Sequence, residues 1–197
     1  MHGHRKSKLM AEFINPPWFP SISWFRHYLK AQDAVLTPLL NHAYPVQKTI
    51  IRGPNGLQEL SIPLQKGPRY DMRDIKPLNS LKWAKECRQA IKTAYGNAAF
   101  FEYYDYLLEP LFFQSYTDLF TCNLEALKLI CSWLKLPEPI SREGLPESKA
   151  STAKAIAVED YGQYFTERYP FTSDVGVLDV LFHCGPLGGL LLSGQEL

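Results

Sequence analysis

The chain has 197 residues, 46% of them hydrophobic, with 21 basic and 20 acidic side chains. That much apolar material builds a core without disulfides or metal, as fits one domain of ordinary size. A net charge of +1 lacks the basic excess of nucleic-acid binders, so no nucleic-acid partner is expected.

No apolar run approaches the roughly 18 residues of a membrane span, so none is expected. Residues 1–9 lack the apolar heart of a secretory signal and read as a flexible leader, with a single domain over residues 10–197. Cys87, Cys122, Cys131 and Cys184 lie far apart with no CxxC pair. Reduced thiols in the core of a cytoplasmic protein are the reading that fits, with no metal site.

In chain order, Phe13 to Pro20 carries Pro16, Pro17 and Pro20 and reads as a short edge strand or a loop. Ser21 is a candidate N-cap for an amphipathic helix in which Ile22, Phe25 and Leu29 recur at helical spacing. Ala34-Val35-Leu36 looks like a buried strand. Thr49 to Arg52 and Leu57 to Leu64 flank Gly53-Pro54-Asn55-Gly56, a hairpin with Asn-Gly supplying the residues that tolerate positive φ. Pro63 cannot donate to a ladder and should end the second strand.

Residues 65–80 read as a polar surface loop. The second half is helical in pattern. One helix is expected from Ser80 to Tyr95 with Trp83, Cys87 and Ile91 on one face, and others over Phe100–Leu108 and Tyr116–Leu134. Ala153 to Arg168 reads as a further helix, and Val175 to Cys184 as a last buried one. Gly188-Gly189 should break any helix in the tail. The fold class is α+β: a small N-terminal mixed or antiparallel sheet with a β-hairpin, followed by a mostly helical half.

Several residues have chemistry to offer. Gln47, Lys48, Arg52 and Asn55 around the hairpin could bind a carboxylate or phosphate, or could be a solvated face. Cys87 sits too far into its helix for the dipole to activate it, so a core thiol competes with a nucleophile there. Asp179, alone in Val175–Phe182, would be costly to bury unpaired. It needs a partner such as Lys48, Arg52 or Arg26, or else it points into a cleft. Glu102, Asp105 and Glu109 read as an acidic helix surface, although paired carboxylates can also do acid–base work. His27, His42 and His183 are not spaced for metal on one helix.

The order of motifs resembles one family. Trp18-Phe19-Pro20 and Trp24-Phe25 precede Gly53-Pro54-Asn55-Gly56 with Leu60-Ser61-Ile62-Pro63. Then come Asp74-Ile75, Trp83, Ala94-Tyr95, Phe100 to Tyr104, and Leu178 to Phe182 with Gly185-Pro186. Together, from about Asn15 to Pro186, these are similar to the WbqC-like family of bacterial proteins. The resemblance implies a cytoplasmic protein of surface-polysaccharide (O-antigen-type) biosynthesis that transfers an amino-acyl or other group to a small-molecule or sugar-linked substrate. It implies a cleft formed by Cys87 and Asp179 as catalytic groups with Gln47, Lys48, Arg52, Trp83 and Tyr95 as binding groups, and leaves the cofactor and the oligomeric state unspecified. The family carries Asn-Arg where this chain has Gln47-Lys48, His where it has Cys87, and Ser where it has Gly176. Lys cannot reproduce a bidentate Arg, and Cys is a different proton-transfer group from His. A non-catalytic binding or scaffold member of the same pathway is therefore the alternative. If the site is catalytic, Lys48, Cys87 and Asp179 should converge on one pocket.

Overall fold

The computed structural model describes residues 12–31, 33–40, 45–141 and 160–195. The leader over residues 1–9, His42 and the first part of the helix expected from Ala153 lie outside the described residues.

The strands form two small sheets, not one. β1 (Glu12–Ile14) pairs in parallel with β2 (Ala34–Leu36), and β3 (Lys48–Gly53) pairs antiparallel with β4 (Gly56–Ser61). This is the expected α+β class, with strands and a β-hairpin ahead of a mostly helical half, the strands being divided between two small sheets. The parallel pair arises because α1 (Ile22–Lys30) is the crossover between its strands. The Ser21 hydroxyl caps α1 by accepting from the Trp24 N–H at 3.2 Å. The helix then buries Ile22, Trp24, Phe25 and Tyr28.

The hairpin register places Gly53 opposite Gly56, so the two tip residues are Pro54 and Asn55. The proline ring fixes a negative φ at the first tip position. Positive φ falls on Gly56, at 97°. β4 ends at Ser61, two residues before Pro63. The free edge of β3 is closed by a hydrogen bond from the Gly176 N–H to the Ile50 carbonyl at 2.6 Å. A Cβ on Gly176 would lie 2.2 Å from Thr49 Oγ1, so this approach needs glycine.

The helical half differs from the pattern reading at its ends. α2 (Leu81–Tyr95) is capped by Ser80, and α3 (Phe101–Phe113) runs on through Pro110 for one more turn than expected. α4 (Leu119–Trp133) starts later than expected because Asp118, not the Tyr116 region, is its cap. Leu129 of α4 is exposed. The loop over residues 65–80 is polar at its surface but buries Met72 and Ile75, whose carbonyls accept from the Leu119 N–H.

The described part of the helix expected over Ala153–Arg168 contains turns, with Gly162 at φ 84° and Phe165 at φ 63°. Side chains there are recruited by buried charges, as shown below. Only Leu178–Cys184 of the last expected helix is helical (α5). α6 (Gly188–Ser193) forms despite its two glycines. A Cβ on Gly189 would meet the Leu134 carbonyl oxygen at 2.0 Å, so close packing explains that residue better than helix breaking. α2 packs on β3 and α3, and α6 on α1, around an aromatic centre of Trp18, Phe19, Trp24, Phe25 and Phe182.

Candidate functional site

Strand β3 carries two of the predicted binding residues at its two ends, and α2 spans both. Near the first end, the Trp83 indole N–H donates to the Ser61 carbonyl at 2.7 Å. At the second, the Arg52 backbone N–H donates to the Tyr95 hydroxyl at 3.2 Å. Trp83 also packs on Trp18, with ring centroids 5.6 Å apart, so its place is a packing one. Gln47 contributes its backbone carbonyl, which accepts from Ile62 N–H at 2.9 Å.

Lys48 opens on a recess of about 180 Å³ lined by Pro17, Ser21, Pro45, Lys48, Thr49, Ile50, Glu59 and Asp174. Its ammonium pairs with Glu59 at 2.7 Å, diagonally across the hairpin. Both partners are partly exposed, so the pair is a weak one.

Arg52 is fully buried. One terminal guanidinium nitrogen donates to Gln163 Oε1 at 2.5 Å, the Pro170 carbonyl at 2.9 Å and Thr172 Oγ1 at 3.0 Å. The other donates to the Tyr169 carbonyl at 2.6 Å. Gln163 turns its amide nitrogen the opposite way, to Asp179 Oδ2 at 2.9 Å. The Tyr161 hydroxyl donates to that same oxygen. Burial, followed by the negative charge of Asp179, pushes the Tyr161 and Tyr95 hydroxyls well above their ordinary value. His183 Nδ1 donates to the Asp179 carbonyl at 2.6 Å while its Nε2 accepts from the Tyr164 N–H at 3.2 Å. That pattern requires the neutral tautomer protonated on Nδ1.

The structure thus brings together Arg52, Tyr95 and Asp179 of the predicted set. It adds Tyr161, Gln163 and Thr172, which pattern reading missed. Their signal was indirect: an Arg in a strand and an Asp in an apolar helix each demand polar partners when buried. Cys87 belongs to the core, where burial pushes its thiol up to about 12. Neither Cys87 nor Asp179 lines the Lys48 recess, so Lys48, Cys87 and Asp179 do not converge there. Asp105 and Glu109 pair with Arg88, at 2.6 and 3.1 Å, as surface carboxylates do. Among the described residues no group of three or more His, Cys, Asp or Glu is placed to hold a metal ion. No helix there is long and apolar enough to cross a membrane.

In comparisons with curated proteins and with solved structures nothing matches. The profile of the WbqC-like protein family matches residues 15–158. The match includes the hairpin and α2, and it stops short of Leu178 to Phe182, which the motif reading had included. It spans well over half of the 197 residues, and the chain belongs to the WbqC-like protein family.

Proposed function

We propose that this chain is a ligand-binding member of surface-polysaccharide (O-antigen-type) assembly in the cytoplasm, holding a small-molecule or sugar-linked ligand without transferring a group. The observation that carries this reading is the dispersal of its candidate chemical groups. The Cys87 thiol is buried and protonated, Lys48 stands apart from it in a partly exposed pair with Glu59, and Asp179 is closed over by Tyr161 and Gln163. A buried thiol with a raised pKa is a poor nucleophile. Gly176 has no room for the serine that the family resemblance implies.

The Lys48 recess is the place for the ligand. Lys48 offers a cation, and Glu59 and Asp174 offer acceptors for hydroxyl groups. Its volume of about 180 Å³ suits one small moiety and falls below the range of a drug-sized pocket.

Calorimetric titration with nucleotide sugars and free amino acids tests the reading. Binding that Lys48→Ala removes and Cys87→Ala leaves intact is the expected outcome. The second reading, an amino-acyl or other group transferase, draws on Asp179, a buried carboxylate flanked by tyrosines. Turnover of an activated amino-acyl donor that Asp179→Asn abolishes at unchanged fold would replace the binding reading.

A further inference from the structure

Arg52 and Asp179 are both fully buried and of opposite charge, yet among the described residues Arg52 has no carboxylate partner, and beside Asp179 stands the His183 imidazole, its Nδ1 3.7 Å from Oδ2. Buried charges ordinarily meet a counter-charge or a complete shell of hydrogen bonds. Here the acceptors around Arg52 are all neutral, and all come from Gln163, Tyr169, Pro170 and Thr172. Two side-chain donors to Asp179 come from the same stretch, Tyr161 and Gln163, beside the Tyr95 hydroxyl of α2. One stretch of chain therefore closes over both charges, with the amide of Gln163 facing the cation by its oxygen and the anion by its nitrogen. The closure is incomplete: Arg52 Nε and Asp179 Oδ1 are buried without a hydrogen bond.

Apart from these bonds the stretch is held at Tyr164, whose hydroxyl donates to the Asn97 carbonyl at 2.5 Å and whose N–H donates to His183 Nε2, and at Tyr161, which packs against the core. Residues 160–173 contain no helix or strand, and Gln163 is the one buried residue in that span. Segments with little apolar burial open separately from the core. The elements beneath are different: β3 is paired on both edges, by β4 and by Gly176, and α2 packs across it.

We propose that residues 160–172 form a strap that opens as a unit, and that the socket beneath it takes an oxyanion, carboxylate or phosphate, on Arg52. The chemistry favours the exchange. A guanidinium bonds ionised oxygens about twice as strongly as neutral ones. Its planar fork matches two oxygens of one group, whereas the strap supplies separate oxygens from four residues. An oxyanion lying along the Nε edge also satisfies the N–H that the strap leaves unpartnered. Such a ligand binds the open state alone and so raises its population. The socket is distinct from the Lys48 recess, none of whose lining residues belongs to the strap.

Amide hydrogen exchange of the full chain tests this, in inorganic phosphate and in acetate, each against chloride at equal ionic strength. Exchange over residues 160–172 is expected to rise roughly tenfold when the anion reaches about ten times its Kd. Exchange in β3, β4 and α2 should hold. Acceleration by phosphate alone identifies a phosphoryl ligand, and by acetate alone a carboxylate. Acceleration by neither overturns the proposal. Tyr161→Phe and Thr172→Val each remove one bond to a buried charge and should speed strap exchange by roughly tenfold or more. A rise spread evenly over the whole chain, or none in the strap for either variant, overturns it as well.

Discussion

Lys48 and Arg52 stand four residues apart on β3, at positions that share a face of a strand, and they have opposite fates. Lys48 lies at the outer end, reaches one carboxylate, and remains open to solvent through its recess. Arg52 lies beside the turn, is fully buried, and spends its terminal N–H groups on neutral oxygens from a distant part of the chain. The difference follows from what covers each end. The Lys48 recess is lined by Asp174 but stays open, while residues 163–172 lie over Arg52. A cation's chemistry on this strand is set by its cover, and the pattern of residue types around it does not reveal that cover.

The largest test of this contrast is Arg52→Ala. It strands the Gln163, Tyr169, Pro170 and Thr172 acceptors and leaves Asp179 buried without the cation beyond Gln163. Breaking a buried charged network from one side costs about 3–5 kcal/mol. Urea denaturation should show that loss; a loss under about 1 kcal/mol would mean the network is not a structural unit.

Next in size is Gly176→Ser, which restores the residue implied by the family resemblance. Its Cβ would sit 2.2 Å from Thr49 Oγ1 and 2.9 Å from the Ile50 carbonyl oxygen. Crowding of this kind costs about 1–3 kcal/mol. A variant as stable as the parent would show that the β3 edge yields, and that the glycine is a free choice.

These two residues also show how far the sequence could be read. The hairpin, α1 with its Ser21 cap, and α2 with its Ser80 cap were legible because caps, turn residues and periodicity are local signals. Gly188-Gly189 misled because helix propensity says nothing about a neighbour as close as the Leu134 carbonyl. The turn at Pro54-Asn55-Gly56 was legible from local signals alone: Pro54 fixes a negative φ, and the positive φ falls on Gly56, which tolerates it. At the site, Arg52 and Asp179 were legible as charges needing partners. Gln163 was not, since it is 111 residues from Arg52 and sits in a stretch whose pattern imitates a helix. Non-local polar closure leaves no periodic trace.

Cys87 lies on α2 between the two ends, and alkaline unfolding sharpens its assignment to the core. Burial raises its thiol from the ordinary 9.0 to about 12. Above pH 9.0 the unfolded chain has lost a proton that the folded chain still holds, so stability falls with rising pH. The contribution is fully present below 9.0 and is gone by about 12, at a slope near 1.4 kcal/mol per pH unit. Cys87→Ala should remove one proton's worth of that slope in denaturation midpoints taken from pH 8 upward. The raised Tyr95 and Tyr161 hydroxyls steepen the fall above their ordinary 10.0 in parent and variant alike. An unchanged slope would mean the thiol reaches solvent, and a nucleophilic role would return.

The smallest effect on stability is expected from Lys48→Ala, and there the comparison is at its most discriminating. Its partner Glu59 is half exposed, and the two meet diagonally across the hairpin, so the pair is worth about 0.2–1 kcal/mol. Stability should therefore barely move. Ligand affinity should drop sharply if the recess is the binding site, because Lys48 is its lone cation among the lining residues. Stability and binding would then separate along one strand: a residue that holds the fold at one end, and a residue free to hold something else at the other. A Lys48→Ala protein that binds as the parent does would move the ligand away from the recess and leave the hairpin's open end as solvated surface.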